Sequence, residues 1–496
     1  MLRTINPRAS GIEQSAFRRA KLFCDYLGVE VNLITHIYQN DLSEQCDNYE
    51  LEASVSNLYE YFQEIDREEI KPHRISINTA PEGWRIEHSG KECLVYRENG
   101  ALAMHGVFAL EDNKLSFIEF FNRAQQKTRR DVYDPLGFLS CRQRFDPETD
   151  SMTEMLFYRP DKTLAIQELF ENGERALIRL FNSQGMITAA FTSHEDFLSY
   201  WLSLLLSDRT KNYFLIGDRT PEWHKAYFDI KAAGLDNVRV IHQLHNIHVD
   251  EPFDPRTSQT KARYLYLEND RIKADAIISL TSRQHSDIVK RYHLKNVVII
   301  PHSLAAVPKV TDVEVDPFKI VQVGRLVPDK GQIKAIEVMK RVLQAVPQAT
   351  LHFYGRGRMH DELQKLIDEN NLGEHIKLEG FSENMPKVFA SSALSILPSL
   401  FEGSPLVIQE SLQQNCPVVA FDCNYGPADM IKDGVNGYLV PVDDIDAMAS
   451  RIIRILAVPK LRDKLSANCA RSIQKFSPEI VAGQWVELFC KLMKGE

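Results

Sequence analysis

Arg325 and Lys330 stand five residues apart, on either side of a Leu-Val-Pro-Asp turn. Two cations on one loop can converge on a diphosphate, arginine through its planar fork and lysine as a point charge. Taken alone, the same pair also suits a solvated surface. Further along, Phe401-Glu402-Gly403-Ser404-Pro405-Leu406-Val407 leads into an apolar run, and Glu410 follows eight residues after Glu402. A helix predicted over 404–414 would present unpaired N–H groups at its start, and such groups bind anions. Glu402 would repel a phosphate but accepts hydrogen bonds from hydroxyls. Glu410, one to two turns inside the helix, suits a vicinal diol such as ribose. An anion cradle flanked by two diol-binding carboxylates describes a nucleotide-sugar pocket; an ordinary capped surface helix is the competing reading.

The elements that must position these groups are readable from periodicity. Short apolar runs at 318–323, 350–354, 376–378, 393–397 and 417–420 alternate with helical patterns, including one over 332–345. Strand and helix in alternation mean a parallel sheet wrapped by helices. Ligands of such sheets bind at the carboxyl ends of the strands, where Gly324 and Arg325 stand. Residues 305–475 therefore form one Rossmann-like domain. Residues 1–67 and 204–304 form a second, split in sequence. Between them, 68–203 switches to alternation with turn signals every ten to fourteen residues, an antiparallel β-meander domain. The last helix, over 478–494 in the segment 476–496, starts at Ser477-Pro478 and is expected to cross back to the N-terminal domain. In that domain His245 lies at the end of a strand over 238–241, where it could reach a sugar hydroxyl. Gly11, before the first helix, permits close backbone approach of a phosphate or an acceptor.

Composition narrows the function classes. The 496 residues are 44% apolar and 26% charged, with net charge −9, which suits a globular protein of two or three domains and argues against a nucleic-acid partner. The eight cysteines make no CxxC pair and, with the histidines, no zinc spacing, as expected of free thiols in a reducing cytoplasm. The N-terminus lacks the apolar core of a signal peptide, and no run is long enough to span a membrane. Peripheral membrane contact stays open.

The stretches VGRLVPDKG (323–331), the E-x7-E element Glu402…Glu410 and PVVAFDCNYGPADMIKDGVNGYLVP (417–441) together resemble glycosyltransferase family 4, retaining enzymes of the GT-B fold. The split N-terminal domain with its inserted meander, with SNLYEYFQEI (56–65), is similar to the teichoic-acid poly(ribitol/glycerol-phosphate) α-glycosyltransferases. The O-glucosaminyltransferases of serine-rich-repeat adhesins share the layout. The resemblance implies transfer of an α-linked glucose or N-acetylglucosamine from UDP-glucose or UDP-N-acetylglucosamine to a polyol-phosphate polymer. A Ser/Thr-rich protein, or a capsule or lipopolysaccharide glycan, is the alternative acceptor, and a non-catalytic scaffold is a remote alternative. It further implies that Arg325 and Lys330 bind the diphosphate and stabilise the leaving group. Glu402 would hold the donor sugar, Glu410 the ribose, and His245 the sugar near its 6-hydroxyl. Amides of Ser404, Leu406 and Val407 would hold the distal phosphate and sugar, and Gly380-Phe381-Ser382 the base. No metal or other cofactor is implied; Asp443-Asp444-Ile445-Asp446 reads as a helix start. Related enzymes suggest a trimer through the meander, and a cytoplasmic location at the inner membrane face.

Two departures from the family stand out. Only five residues precede Asn6, so the first strand is trimmed or the true start lies upstream. Pro405 brings no N–H to the cradle; the donor sugar therefore stays open.

Overall fold

The computed structural model describes residues 1–7, 9–109, 114–218, 223–269, 274–305 and 307–495. Closeness of contact divides the chain into two units. The first comprises Met1–Glu13, Glu30–Leu215 and Thr220–Val238; the second comprises Gln14–Val29, Ile216–Arg219 and Arg239–Glu496.

In the first unit, ten strands from Arg85–Ser89 to Ile187–Phe191 pair antiparallel, each with its neighbours in sequence. The turns explain why. Asn99-Gly100, Asp134 to Gly137 and Asn182 to Gly185 each return the chain across a closing backbone hydrogen bond. Asn182 Oδ1 accepts from the amides of Gln184 and Met186, a side-chain mimic of a backbone turn. Alternation then buries one set of side chains: Ile77, Cys93, Val95, Leu115 and Ile118 form a core under the early strands. At the far end Tyr59, Phe157 and Phe197 are fully buried. There Glu168, wholly buried, accepts from the Tyr59 hydroxyl at 2.8 Å and pairs with Arg175 at 3.0 Å. A helix, His194–Leu205, follows the last strand and is capped by Ser193 Oγ accepting from the Asp196 amide.

The second unit holds a six-stranded parallel sheet. Its order is Ile376–Gly380, Thr350–Tyr354, Asp316–Val323, Ser392–Leu397, Val418–Phe421, Gly437–Val440. Ser392–Leu397 is buried along its whole length, as a central parallel strand covered on both faces must be. Beneath it, Ile336 and Met339 of the helix Gln332–Ala345 pack with Phe353, Leu394 and Ile396. Strand order reverses between Asp316–Val323 and Ser392–Leu397. A crevice opens outside the carboxyl ends of the two strands that flank such a reversal.

The same unit contains a smaller parallel set in which Val238–Gln243 pairs with Ala276–Ser279, and that strand with Val297–Ile299. The terminal helix Pro478–Lys494 lies against the first helix, with Trp485 and Phe489 edge-on to Phe23.

Strand ends differ from the sequence expectation by one or two residues, and one helix boundary that bears on the site also differs. The helix after Glu402 begins at Leu406, not Ser404, and runs to Gln413. Pro405 is its cap in an extended conformation (φ −70°, ψ 104°), and a residue before proline is pushed out of the helical region. Ser404 therefore belongs to the loop.

Candidate active site

Both strands that flank the reversal of sheet order end in residues singled out above. After Val323 come Gly324 and Arg325; after Leu397 come Pro398 to Glu402. The first loop is shaped by two buried glutamines. Gln322 donates to the Lys330 carbonyl at 2.7 Å, and Gln332 donates to the Arg325 carbonyl at 2.8 Å. Arg325 itself is exposed, and among the described residues no carboxylate pairs with it. Lys330 closes a 3-10 turn, Pro328–Lys330, and is followed by Gly331 at φ 70°. A Cβ at Gly331 would stand 2.0 Å from the Pro398 carbonyl oxygen. Only glycine lets the two loops lie this close.

Across that contact, Lys330 Nζ lies 2.6 Å from Glu402 Oε1, and the Glu402 side chain is 8% exposed. Glu402 is fixed by its backbone, which donates to the Asn424 carbonyl and accepts from the Tyr425 amide. Next to it, a Cβ on Gly403 would come within 2.1 Å of the His245 carbonyl oxygen. Gly403 thus sets the distance between the helix-start loop and the loop after Val238–Gln243. Ser404 is buried, and its hydroxyl has no protein partner among the described residues. Ile408 donates back to the Pro405 carbonyl at 3.0 Å, which leaves the amides of Leu406 and Val407, at the positive end of the helix, for a ligand.

Glu410 stands on the same helix and is ion-paired with Arg18 of the first helix. Its neighbour Gln409 donates to the His302 carbonyl. Phe381 is 59% exposed and Ser382 half-buried, beyond the strand Ile376–Gly380. A large apolar ring left in water beside a crevice suits stacking on a flat base. Gly11 belongs to the other unit, at the first position of its helix, and a Cβ there would meet nothing within 4 Å.

His245 is the most elaborately held of these residues. Its Nε2 lies 2.9 Å from Asp218 Oδ1, and Asp218 takes two further hydrogen bonds, both 2.8 Å, from the Arg19 guanidinium. Arg19 also donates to Gln243. The stacked ring of His302 lies 5.8 Å away. Burial lowers the pKa of His245, opposed by its bond to Asp218. Burial would raise that of Asp218, but the charge and hydrogen bonds of Arg19, the bond from His245 and other positive charge together outweigh it and hold the carboxyl well below the usual range. The neutral ring therefore gives its Nε2 proton to Asp218 and keeps Nδ1 as an acceptor for a ligand hydroxyl.

The structure thus brings Lys330 to Glu402, Gly403 to His245, and Glu410 to Arg18. Asp218, Arg18, Arg19, Gln322 and Gln332 were not foreseen. Asp218 carried a signal: it stands two residues after the apolar run 214–216, at a strand's carboxyl end. The arginines lie mid-helix and carried none. Among the described residues no group of three or more His, Cys, Asp or Glu side chains is arranged to hold a metal ion.

The chain is similar to known proteins in sequence and in fold. Residues 303–472 match the family Glycosyl transferases group 1. The chain is 23% identical to poly(glycerol-phosphate) alpha-glucosyltransferase of Bacillus subtilis over 96% of its own length and 72% of that protein. It is 24% identical to poly(ribitol-phosphate) alpha-N-acetylglucosaminyltransferase of Staphylococcus aureus, over 99% and 98% of the two chains. Among solved structures, a mutant of S. aureus TarM in complex with fondaparinux, alpha-GlcNAc-glycerol and UDP superposes with a TM-score of 0.83 at 22% identity, covering 99% of both chains. The pneumococcal O-GlcNAc transferase GtfA, in complex with UDP and GlcNAc, gives 0.83 at 19% identity, over 99% of this chain and 98% of that one. The fold is GT-B, with a ten-stranded antiparallel sheet added.

Proposed function

The chain is a glycosyltransferase whose residues 303–472 form a group 1 domain, and on that premise we propose that it moves an α-linked glucose or N-acetylglucosamine from a UDP-sugar to a teichoic-acid-like polyol-phosphate polymer. The observation that carries this reading is the Lys330–Glu402 pair at the reversal of one parallel sheet, with the amides of Leu406 and Val407 and then Glu410 on the helix that follows Glu402. A diphosphate on the cradle would draw Lys330 from Glu402, so that the cation meets phosphate and the carboxylate turns to the sugar hydroxyls. Arg325 adds a second charge on the same oxygens, and Glu410 takes the ribose diol from Arg18. Phe381 and Ser382 face the base. His245, held by Asp218, accepts from a sugar hydroxyl.

Catalysis in this reading is electrostatic. Arg325, Lys330 and the helix start stabilise the charge that grows on the leaving phosphate. The bond from the anomeric carbon to the phosphate oxygen breaks while the acceptor oxygen bonds to the same carbon from the same face. The acceptor proton passes to the leaving phosphate, and the configuration is retained. No metal is called for.

The test is UDP release by purified protein given UDP-glucose or UDP-N-acetylglucosamine and a panel of acceptors. Release with a polyol-phosphate polymer is expected; no release with any acceptor would overturn the reading. A second reading makes the acceptor a Ser/Thr-rich protein, favoured by a likeness to the pneumococcal O-GlcNAc transferase as strong as that to TarM. Glycosylation of a Ser-rich peptide in preference to polymer would select it.

We also assign assembly to the ten-stranded sheet. Its last strand, Ile187–Phe191, is an edge, and Met186 and Ile187 are 61% and 56% exposed there. An unpaired apolar edge is a liability unless another chain covers it. A homo-oligomer, three copies by analogy with related enzymes, is expected; light scattering at micromolar concentration that gives a monomer would remove this part. Among the described residues no helix is long and apolar enough to cross a membrane, and we place the enzyme in the cytoplasm, at the membrane's inner face.

A further inference from the structure

On the ring of Phe401, the residue before Glu402, the structure holds a cation that the donor site does not use. Lys261 Nζ lies 4.8 Å from the centroid of the Phe401 ring and 5.7 Å from that of Phe253. The two rings touch, with centroids 4.4 Å apart. The lysine reaches this place on a short arm of the His245 loop. Val249 bridges antiparallel to Thr260, and the Lys261 amide donates to the His248 carbonyl at 3.0 Å. Phe253 stands at φ 65°, a left-handed backbone that is costly for an aromatic residue. That conformation buys a ring beneath the ammonium group.

Lys261 is half-buried, and among the described residues no carboxylate lies within ion-pair distance of it. Burial lowers its pKa, and the neighbouring Arg263 lowers it further, against Asp250 and Asp329. Aromatic faces offset part of the lost hydration of a cation so placed. They do not neutralise the charge. Among the described residues neither Lys261 nor Arg263 has a carboxylate in ion-pair contact, and Lys261 rests on the ring of Phe401, the residue before Glu402; an anionic ligand completes such a pair of cations.

We propose that Lys261, with Arg263, binds a phosphodiester of the acceptor and so places the adjoining hydroxyl at the donor sugar. The inference rests on the polyol-phosphate reading above and adds to it a residue that selects charged over neutral acceptors. The donor diphosphate already has Arg325, Lys330 and the helix start, so Lys261 serves the other substrate.

The experiment measures, on the full-length protein loaded with UDP, calorimetric binding of a glycerol-phosphate oligomer, alongside transfer from UDP-sugar. Lys261→Met keeps the aliphatic stem over the rings and removes the charge; Lys261→Arg restores it. Loss of one charge-assisted contact is expected to weaken oligomer binding about tenfold in Lys261→Met and to raise the acceptor KM in proportion. Lys261→Arg should recover most of both, and the affinity for UDP should stay within about twofold in either variant. Equal oligomer binding by wild type and Lys261→Met, or no binding by wild type, overturns the inference. A parallel fall in UDP affinity also overturns it, because the charge then serves the donor. Lys261-dependent binding without transfer from any UDP-sugar overturns the proposed function and leaves the inference standing.

Discussion

The ten-stranded sheet and the crevice of the parallel sheet treat charge in opposite ways. In the ten-stranded sheet each buried acid has fixed partners. Asp131 takes both a 2.8 and a 2.9 Å bond from Arg142, and Glu168 is closed off between Tyr59 and Arg175. At the crevice the pairs are between groups that a donor would separate, Lys330 with Glu402 and Arg18 with Glu410. Among the described residues Arg325 and Lys261 have no carboxylate within ion-pair distance. The first arrangement specifies a fold, and the second stores ligand contacts as exchangeable internal ones. A buried pair with no successor partner must stay closed for the fold to hold, whereas a crevice pair can open at the cost of one contact replaced by another.

The largest expected effect breaks the first arrangement. Glu168→Ala strips a buried partner from Arg175 and Tyr59 and should cost about 3–5 kcal/mol of stability. Urea unfolding checks this; a loss below about 1 kcal/mol would place Glu168 among the exchangeable pairs. Next, Lys330→Ala should lower kcat by about 100- to 1,000-fold, as removal of one leaving-group stabiliser does elsewhere. Its loss of stability should be smaller than that of Glu168→Ala, because the Glu402 side chain, 8% exposed, keeps a contact with water that the fully buried Glu168 lacks. Steady-state kinetics with either UDP-sugar decides, and a stability loss as large as that of Glu168→Ala would erase the contrast.

Acid should act on both regions through buried neutral histidines. Burial lowers the pKa of His36 to about 3, and those of His194 and His248 to about 4. Their folded pKa values lie below the unfolded value near 6.5, so the unfolded chain takes up protons first. Stability is therefore full above about pH 6.5 and falls as pH drops from there towards about 4. Asp218 has the opposite history. Its depressed pKa adds stability above the ordinary carboxylate range, near pH 3.9, which is lost only below it. Calorimetric unfolding from pH 8 to 4 should show the decline, and His36→Asn should flatten part of it. The smallest effect sharpens the crevice side: Arg18→Gln frees Glu410 for ribose and should tighten UDP binding by at most about fivefold, the worth of a partly exposed pair. Weaker binding would mean that Arg18 orients Glu410 rather than occupying it.

Sequence alone located five of the six strands of the parallel sheet, since each is a short apolar run bounded by turn chemistry; it did not pick out the edge strand Gly437–Val440. It also located the turns of the antiparallel sheet, where Asn-Gly and Asp-Pro pairs recur. It placed Glu402 and Glu410 on one loop-to-helix segment, because that spacing is local. It did not give the partners. Glu402 meets Lys330 across 72 residues, and Glu410 meets Arg18 across 392. Those pairings exist only once the sheet has brought its strand ends together. The helix start was misplaced by two residues because periodicity is blind to the restriction that Pro405 puts on Ser404. Asp218 was within reach of the strand-end rule that had found His245. What was missing was Arg19, whose guanidinium makes a buried carboxylate tolerable there.

The contact of Gly403 with residue 245 has a genetic consequence. What a side chain at 403 would strike is the carbonyl oxygen of His245, 2.1 Å from the added carbon, and every amino acid carries that oxygen. A defect from Gly403→Ala should therefore have no suppressor at position 245. Revertants would have to restore glycine or shift the backbone of one of the two loops, whereas defects at Lys330 or Glu410 act between side chains and admit compensating changes in their partners.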